Sequence, residues 1–276
     1  GGGIFNTFSA TNFVNCKITF NSADCTNTDD DALGAGVLNN SCSSSFTNCV
    51  IESNSFLVGG SSFGVFGAGM VINGGSCSIL NSVFSNNTGG SGFLDSSRGG
   101  ALVIDGTANI VNSVFYNNSA QNGAALLFGG GDANLSTVTN CSFVNNTGSF
   151  VGVGYQGFSK AIFKNCLFWN NTPTSNPVVG RDEIYSQENR IGFQPTFINC
   201  IIRDATGNPL AITNTVLVNS SNSNPLFVNS ADGDGVDNQW ATADDGLTLQ
   251  NSSPAKNSGI TGSGIPTLDI VGNIRD

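Results

Sequence analysis

The chain has 276 residues, enough for one large domain or two small ones, and carries a formal net charge of -10 from 9 basic and 19 acidic residues. Only 10% of its residues are charged, against roughly 25% in an ordinary globular chain, yet 20 Phe residues and many aliphatic ones supply the core that disordered chains lack. Scattered basic residues on an acidic chain argue against nucleic acid and anionic lipid as partners, and no apolar run nears the ~20 residues of a membrane-spanning helix, so no membrane insertion is expected.

In chain order, the opening "GGGIF" (1–5) already lies inside a repeat, which points to a longer parent chain and to an open N-terminal end on this stretch alone. The first complete motif is "NFVNCKITF" (12–20), and it returns as "SFTNCVIES" (45–53), "SILNSVFSN" (78–86), "NIVNSVFYN" (109–117), "TVTNCSFVN" (137–145), "IFKNCLFWN" (162–170) and "TFINCIIRD" (196–204). Its central asparagines, Asn15, Asn48, Asn81, Asn112, Asn140, Asn165 and Asn199, are spaced 33, 33, 31, 28, 25 and 34 residues apart. Such a period marks a solenoid with insertions.

The columns around each Asn are regular. Two positions before it the residue is apolar (Phe13, Phe46, Ile79, Ile110, Val138, Phe163, Phe197), and one after it is Cys or Ser. Three after it the residue is again large and apolar (Ile18, Ile51, Phe84, Phe115, Phe143, Phe168, Ile202). Alternation means strand, but the inward set changes parity across the Asn. A straight strand cannot do that without turning its apolar face to water. The chain therefore bends at each Asn, the non-glycine residue that best tolerates a left-handed corner.

Upstream of the corner a further strand signal recurs as "GAGVLN" (34–39), "GAGMVIN" (67–73), "GGALVID" (99–105) and "GAALLFG" (123–129). Three short strands per repeat and no helical period predict an all-β, right-handed parallel β-helix of about seven to eight coils. Its length would be roughly 35–40 Å at ~4.8 Å per coil. Residues 1–220 would form the coils and 221–276 a closing segment packed on them as part of the same domain. Phe84 and Phe115 are expected in one inward aromatic stack, and Asn87 and Asn118 in one turn ladder bonded from coil to coil.

Five of the eight cysteines occupy the small column beside the corner, alternating with Ser82 and Ser113, which predicts buried free thiols. Cys25, Cys42 and Cys77 lie off it, leaving Cys16–Cys25 and Cys42–Cys77 bridges open. Most Asn-x-Ser/Thr triplets follow from the turn motif "NNT". Two acidic stretches stand out: "NTDDDA" (27–32) between coils, and "ADGDGVDNQWATADDG" (231–246). For the second, a structural calcium site built from Asp232, Asp234, Asp237, Asp244 and Asp245 and an ordinary polar loop are both open, since calcium takes six to eight oxygen ligands from flexible loops.

With these columns laid out, the chain resembles bacterial right-handed β-helix surface proteins of the pectate-lyase-like superfamily. The "GGAL" at 99–102 with "FSNN", "FYNN", "FVNN" and "FWNN" looks like the repeats of polymorphic outer-membrane proteins and related adhesins. The tail "NPLFVNSADGDG…DDGLTLQNSSPAKNSG" (224–259) and "LDIVGNIRD" (268–276) are similar to the closing segment of large secreted β-helix proteins common in Bacteroidota. The resemblance implies export and display at a bacterial cell surface.

The same superfamily contains polysaccharide lyases and hydrolases. Lys17, Lys160, Lys164, Arg181 and Arg203 do not share a column with acidic partners, as a lyase base would require. Although "NTDDDA" is similar to the "NTDG" of polygalacturonase-type hydrolases, the accompanying Gly-His-Gly cannot occur, because the chain has no His. The expectation is a non-catalytic extracellular structural or adhesive module, with a lyase or hydrolase acting on acidic polysaccharide as the alternative. Its partners would be cell-surface glycans, neighbouring cells or subunits, and the rest of the parent chain. Tyr116 and Trp169, each one residue after an inward Phe, are the candidate outward strip for sugar stacking, with cover by a loop as the other reading.

Overall fold

The structure is a computed structural model that describes residues 2–25, 31–58, 64–90, 97–129, 131, 135–148, 154–156, 160–173, 184–186, 190, 192–202, 212 and 214–275. These residues form a parallel β-helix with no helical segment, every strand pairing being parallel and the register continuous except for a bulge between Asn73 and Ser76 against Leu102–Val111. The short side after the Asn corner stacks Lys17–Thr19, Val50–Glu52, Val83–Ser85, Val114–Tyr116, Ser142–Val144, Leu167–Trp169 and Ile201–Ile202.

The long side before the corner is built from Val37–Thr47, Met70–Leu80 and Leu102–Val111. It continues as Leu135–Thr139, Lys160–Lys164, Thr196–Ile198 and Val216–Val218. A third side carries pairs such as Ser22–Cys25 with Ser55–Val58, and Ser119–Ala120 with Thr147–Gly148. Beyond the three strands expected per coil, a fourth short side stacks Ala32–Leu33, Val65–Phe66 and Ser97–Arg98. Seven strands stack on the short side, but the circuits at the two ends are incomplete among the described residues. About five turns are complete rather than seven to eight.

The parity switch is produced as the columns require. Asn15, Asn48, Asn81, Asn112, Asn140, Asn165 and Asn199 all sit at φ between 47° and 54°, the left-handed region. There a Cβ costs roughly 1–2 kcal/mol except for Gly and, less severely, Asn and Asp. The corner into the coil from the fourth side is made by Gly34, Gly67, Gly99 and Gly123, also at positive φ. A Cβ on Gly67 would lie 2.3 Å from the Met70 carbonyl oxygen, so only glycine fits.

Inside, the phenyl rings stack at the strand spacing. Phe84–Phe115, Phe115–Phe143 and Phe143–Phe168 have centroids 4.9, 4.8 and 4.7 Å apart with interplanar angles of 6°, 11° and 5°. A second column from the long side holds Phe46, Ile79, Ile110, Val138, Phe163 and Phe197, all buried, with Phe13 half-buried against Phe46 on the first coil.

A second turn, three residues beyond the inward apolar column, carries an asparagine in every coil from the first to the sixth, half-buried at Asn21 and buried at Asn54, Asn87, Asn118, Asn146 and Asn171. Each Nδ2 of the first five donates to the Oδ1 of the next coil, at 2.8 to 3.0 Å. The same Oδ1 also accepts the backbone N–H of the preceding Asn. The second Nδ2 hydrogen goes to a carbonyl in the preceding coil: Asn54 to Ile18, Asn87 to Ile51, Asn118 to Phe84, Asn146 to Phe115 and Asn171 to Phe143. The amides of Asn54, Asn87, Asn118 and Asn146 are thus wholly committed inside the rod, which makes their burial affordable.

The small column next to the corner is a hydrogen-bond ladder too. Ser82 Oγ, Ser113 Oγ, Cys49 Sγ, Cys141 Sγ and Cys166 Sγ each donate to the carbonyl two residues earlier. Several of these side chains also accept the N–H of the equivalent residue one coil before, as in Cys49 to Ser82 and Ser82 to Ser113. Cysteine and serine alternate because the position wants a small side chain with one hydrogen to give. Cys16, Cys42 and Cys77 are free thiols, so neither open bridge is formed, and the Cys25 side chain lies outside the described residues. Burial pushes the Cys77 thiol up to about 12, and burial also raises Cys49 and Cys166, so these thiols stay protonated and unreactive.

Removing the Asn118 amide breaks four hydrogen bonds, so Asn118→Ala is expected to cost about 2–5 kcal/mol. Denaturant unfolding measures it; a loss below about 0.5 kcal/mol would contradict a committed ladder.

Candidate functional site

Residues 222–275 contain no regular strand and run back along the rod in two stretches. The first lies on the outer face of the short side. Along each short strand the residues flanking the inward aromatic point outward, and in the middle coils all but Ser142 are aliphatic or aromatic: Val114, Tyr116, Val144, Leu167 and Trp169. Phe227, Trp240, Leu247 and Leu249 from the closing segment pack on them. Tyr116 is only 8% exposed. Its ring meets Trp240 edge to face at 5.3 Å, and its hydroxyl donates to the Ala231 carbonyl at 2.9 Å. Burial raises the Tyr116 hydroxyl above its ordinary value, so it remains a donor.

The outward strip is therefore present in the coils but is not an open sugar platform. Tyr116 is covered and Trp169 is half-buried in the same cluster. A sequence separation of more than 100 residues between Tyr116 and its cover hid this from the columns.

The acidic loop covers the same face. Gly246 is packed so closely that a Cβ would lie 2.0 Å from the Asp232 carbonyl oxygen, and Gly235 at φ 69° faces Asp244. The carboxylates serve as turn caps: Asp244 accepts the Asp237 N–H, Asp237 the Gln239 N–H, and Asp245 the Ala241 and Thr242 N–H groups. The Thr242 hydroxyl donates to Asp244 at 2.7 Å and holds its carboxyl below the usual range. Among the described residues no group of three or more His, Cys, Asp or Glu side chains converges as a metal would require. Asp237, Asp244 and Asp245 are spent on the loop's backbone, and together with Asp232 and Asp234 they do not gather into the cluster a calcium site needs.

The second stretch follows the Asn corner. Asn199 Nδ2 donates to the Ser258 carbonyl at 3.0 Å, Asn165 Nδ2 to the Ile260 carbonyl at 2.9 Å, and Asn112 Nδ2 to the Leu268 carbonyl at 2.8 Å. The Ile260 N–H returns a bond to Asn165 Oδ1, and Arg275 donates to Asn112 Oδ1. Corner amides also bond one another, Asn48 to Asn15, Asn112 to Asn81, Asn140 to Asn112 and Asn165 to Asn140. This strap escaped the columns because it is read through backbone carbonyls, which carry no side-chain signature.

Of the remaining sequence candidates, Lys17 lies on the short side of the first coil, whereas Lys160 and Lys164 lie on the long side. Arg181 and Arg203 lie outside the described residues, as does "NTDDDA" up to residue 30; Asp31 accepts the Gly64 N–H at 2.7 Å. No protein-family model, curated protein or solved structure matches the chain.

Burial is the main cause that raises the Asp234 carboxyl, with Asp232, Glu52 and Asp237 adding like charge. A raised folded value means the ionised form weakens the folded state, so this cost is present at neutral pH. It fades as pH falls through the raised folded value and is gone below the ordinary 3.8. Asp234→Asn is expected to raise the thermal midpoint slightly at pH 7, by the equivalent of less than about 1 kcal/mol. The difference should vanish near pH 3 in a pH series of thermal melts; an unchanged or lower midpoint at pH 7 would contradict it.

Proposed function

We propose that this chain is a non-catalytic extracellular module, a rigid rod or spacer of a cell-surface adhesin, stalk or filament. This retains the likeness of its repeats and tail to bacterial secreted β-helix proteins of the pectate-lyase-like superfamily. The observation that carries the reading is the commitment of side chains to stacking: phenyl rings at 4.7–4.9 Å, a satisfied buried amide ladder, and a thiol–hydroxyl ladder running through consecutive coils. Such a stack is stiff along its axis, because bending it opens hydrogen bonds in several columns at once.

Its surface suits display. Few charges, many Asn, Ser, Thr and Gly side chains and a net charge of -10 keep rods apart in solution. Partners in this reading are surface glycans, neighbouring cells or the rest of a longer parent chain.

The test is a glycan array probed with the whole chain beside a lyase assay on polygalacturonate with added calcium. Binding to a surface glycan or purified cell-wall fraction without release of unsaturated uronate is expected. Accumulation of that product would replace the module reading with the lyase.

A further inference from the structure

The Asn corner is a rail that is only half occupied. The strap covers its later levels, where Asn112 and Asn140 are buried, while Asn15 and Asn48 are exposed and Asn81 is half-buried. In the covered half Asn112 and Asn165 show the full pattern, whereas Asn140 bonds only the preceding corner and Asn199 only the strap. An Asn gives one Nδ2 hydrogen to the Oδ1 of the preceding coil and the other to a strap carbonyl, as Asn112 does with Asn81 and Leu268, and Asn165 with Asn140 and Ile260.

In the open half the same groups point outward with bonds left to make. Asn48 gives one hydrogen to Asn15, and no bond runs from Asn81 to Asn48. All three keep the same left-handed backbone as the covered corners. The flanks there are partly apolar: Val14 is 54% exposed and Leu80 and Val50 are half-buried, while Thr47 and the exposed Lys17 occupy the equivalent positions of their coils.

We propose that Asn81, Asn48 and Asn15 form a docking rail for an extended peptide segment of a partner polypeptide. The segment would be uncharged, rich in Gly and Ser around an aliphatic residue, and read through its backbone in line with the strap. Continuity with the established contact selects this occupant. Ser258, Gly259 and Ile260 show which chain fits: carbonyls meet the Nδ2 groups, a backbone N–H meets an Oδ1, and a Cβ on Gly259 would crowd Asn165 at 3.1 Å. The inference goes beyond the module reading, since the rail exists whatever the rod displays.

The probe is a synthetic, terminally blocked peptide of residues 257–268, NSGITGSGIPTL, added to the isotope-labelled 276-residue chain while side-chain amide resonances are followed. Saturable shifts at Asn15, Asn48 and Asn81 are expected, with those of Asn165 and Asn199 unmoved. Asn81→Asp keeps the acceptor for Asn112, tolerates the left-handed corner and removes the free donor, so it should weaken the peptide by about five- to tenfold. Asn48→Asp is the second variant, and a thermal melt of each confirms that it is folded. Shifts confined to the strapped levels, no shifts, or unchanged affinity in both folded variants would overturn the proposal. So would shifts produced at the open levels by a neutral oligosaccharide such as cellohexaose but not by the peptide.

Discussion

A buried asparagine side chain with every hydrogen-bonding group paired is the interaction on which this molecule depends. An amide inside an apolar rod costs several kcal/mol when left unpaired. Asn54, Asn87, Asn118 and Asn146 escape that cost by a geometry that exists only when coils are stacked in register: one hydrogen to the next coil, one to the preceding coil, and an oxygen facing two donors. The ladder ties the coils together and fixes their rotation. A slip by one residue would bury four unsatisfied groups per level and turn the phenylalanines outward.

The two asparagine columns divide the labour of the coil. The outer column, Asn15 to Asn199, supplies the left-handed bend and turns its amides to neighbouring corners and to the strap, which buries Asn112 and Asn140. The inner column supplies interior hydrogen bonds just after a second left-handed residue, for example Asn86 before Asn87 and Asn117 before Asn118. The pair "NN" thus encodes a corner and a core contact in adjacent positions.

Much of the coil was legible because its signals are local and repeated. Parity on either side of Asn15 or Asn48, the small column at Cys49 and Ser82, and the pairing of Asn87 with Asn118 need only neighbouring repeats to be read. The closing segment was not legible in the same way. Tyr116 faces outward by the strand rule, but Phe227 and Trp240 cover it from far along the sequence. The aspartates of 231–246 have a cation-like composition, yet the turns they cap depend on backbone N–H groups that composition does not reveal.

The central claim is that the inner amides belong to the cooperative core rather than to surface turns. Side-chain amide hydrogen exchange of Asn87, Asn118 and Asn146, followed by NMR, tests it most directly. The account predicts exchange slowed to the rate set by global unfolding, as for backbone amides of the middle strands. Exchange at the rate of exposed asparagines such as Asn48 would show that the ladder opens independently of the rod and would contradict the account.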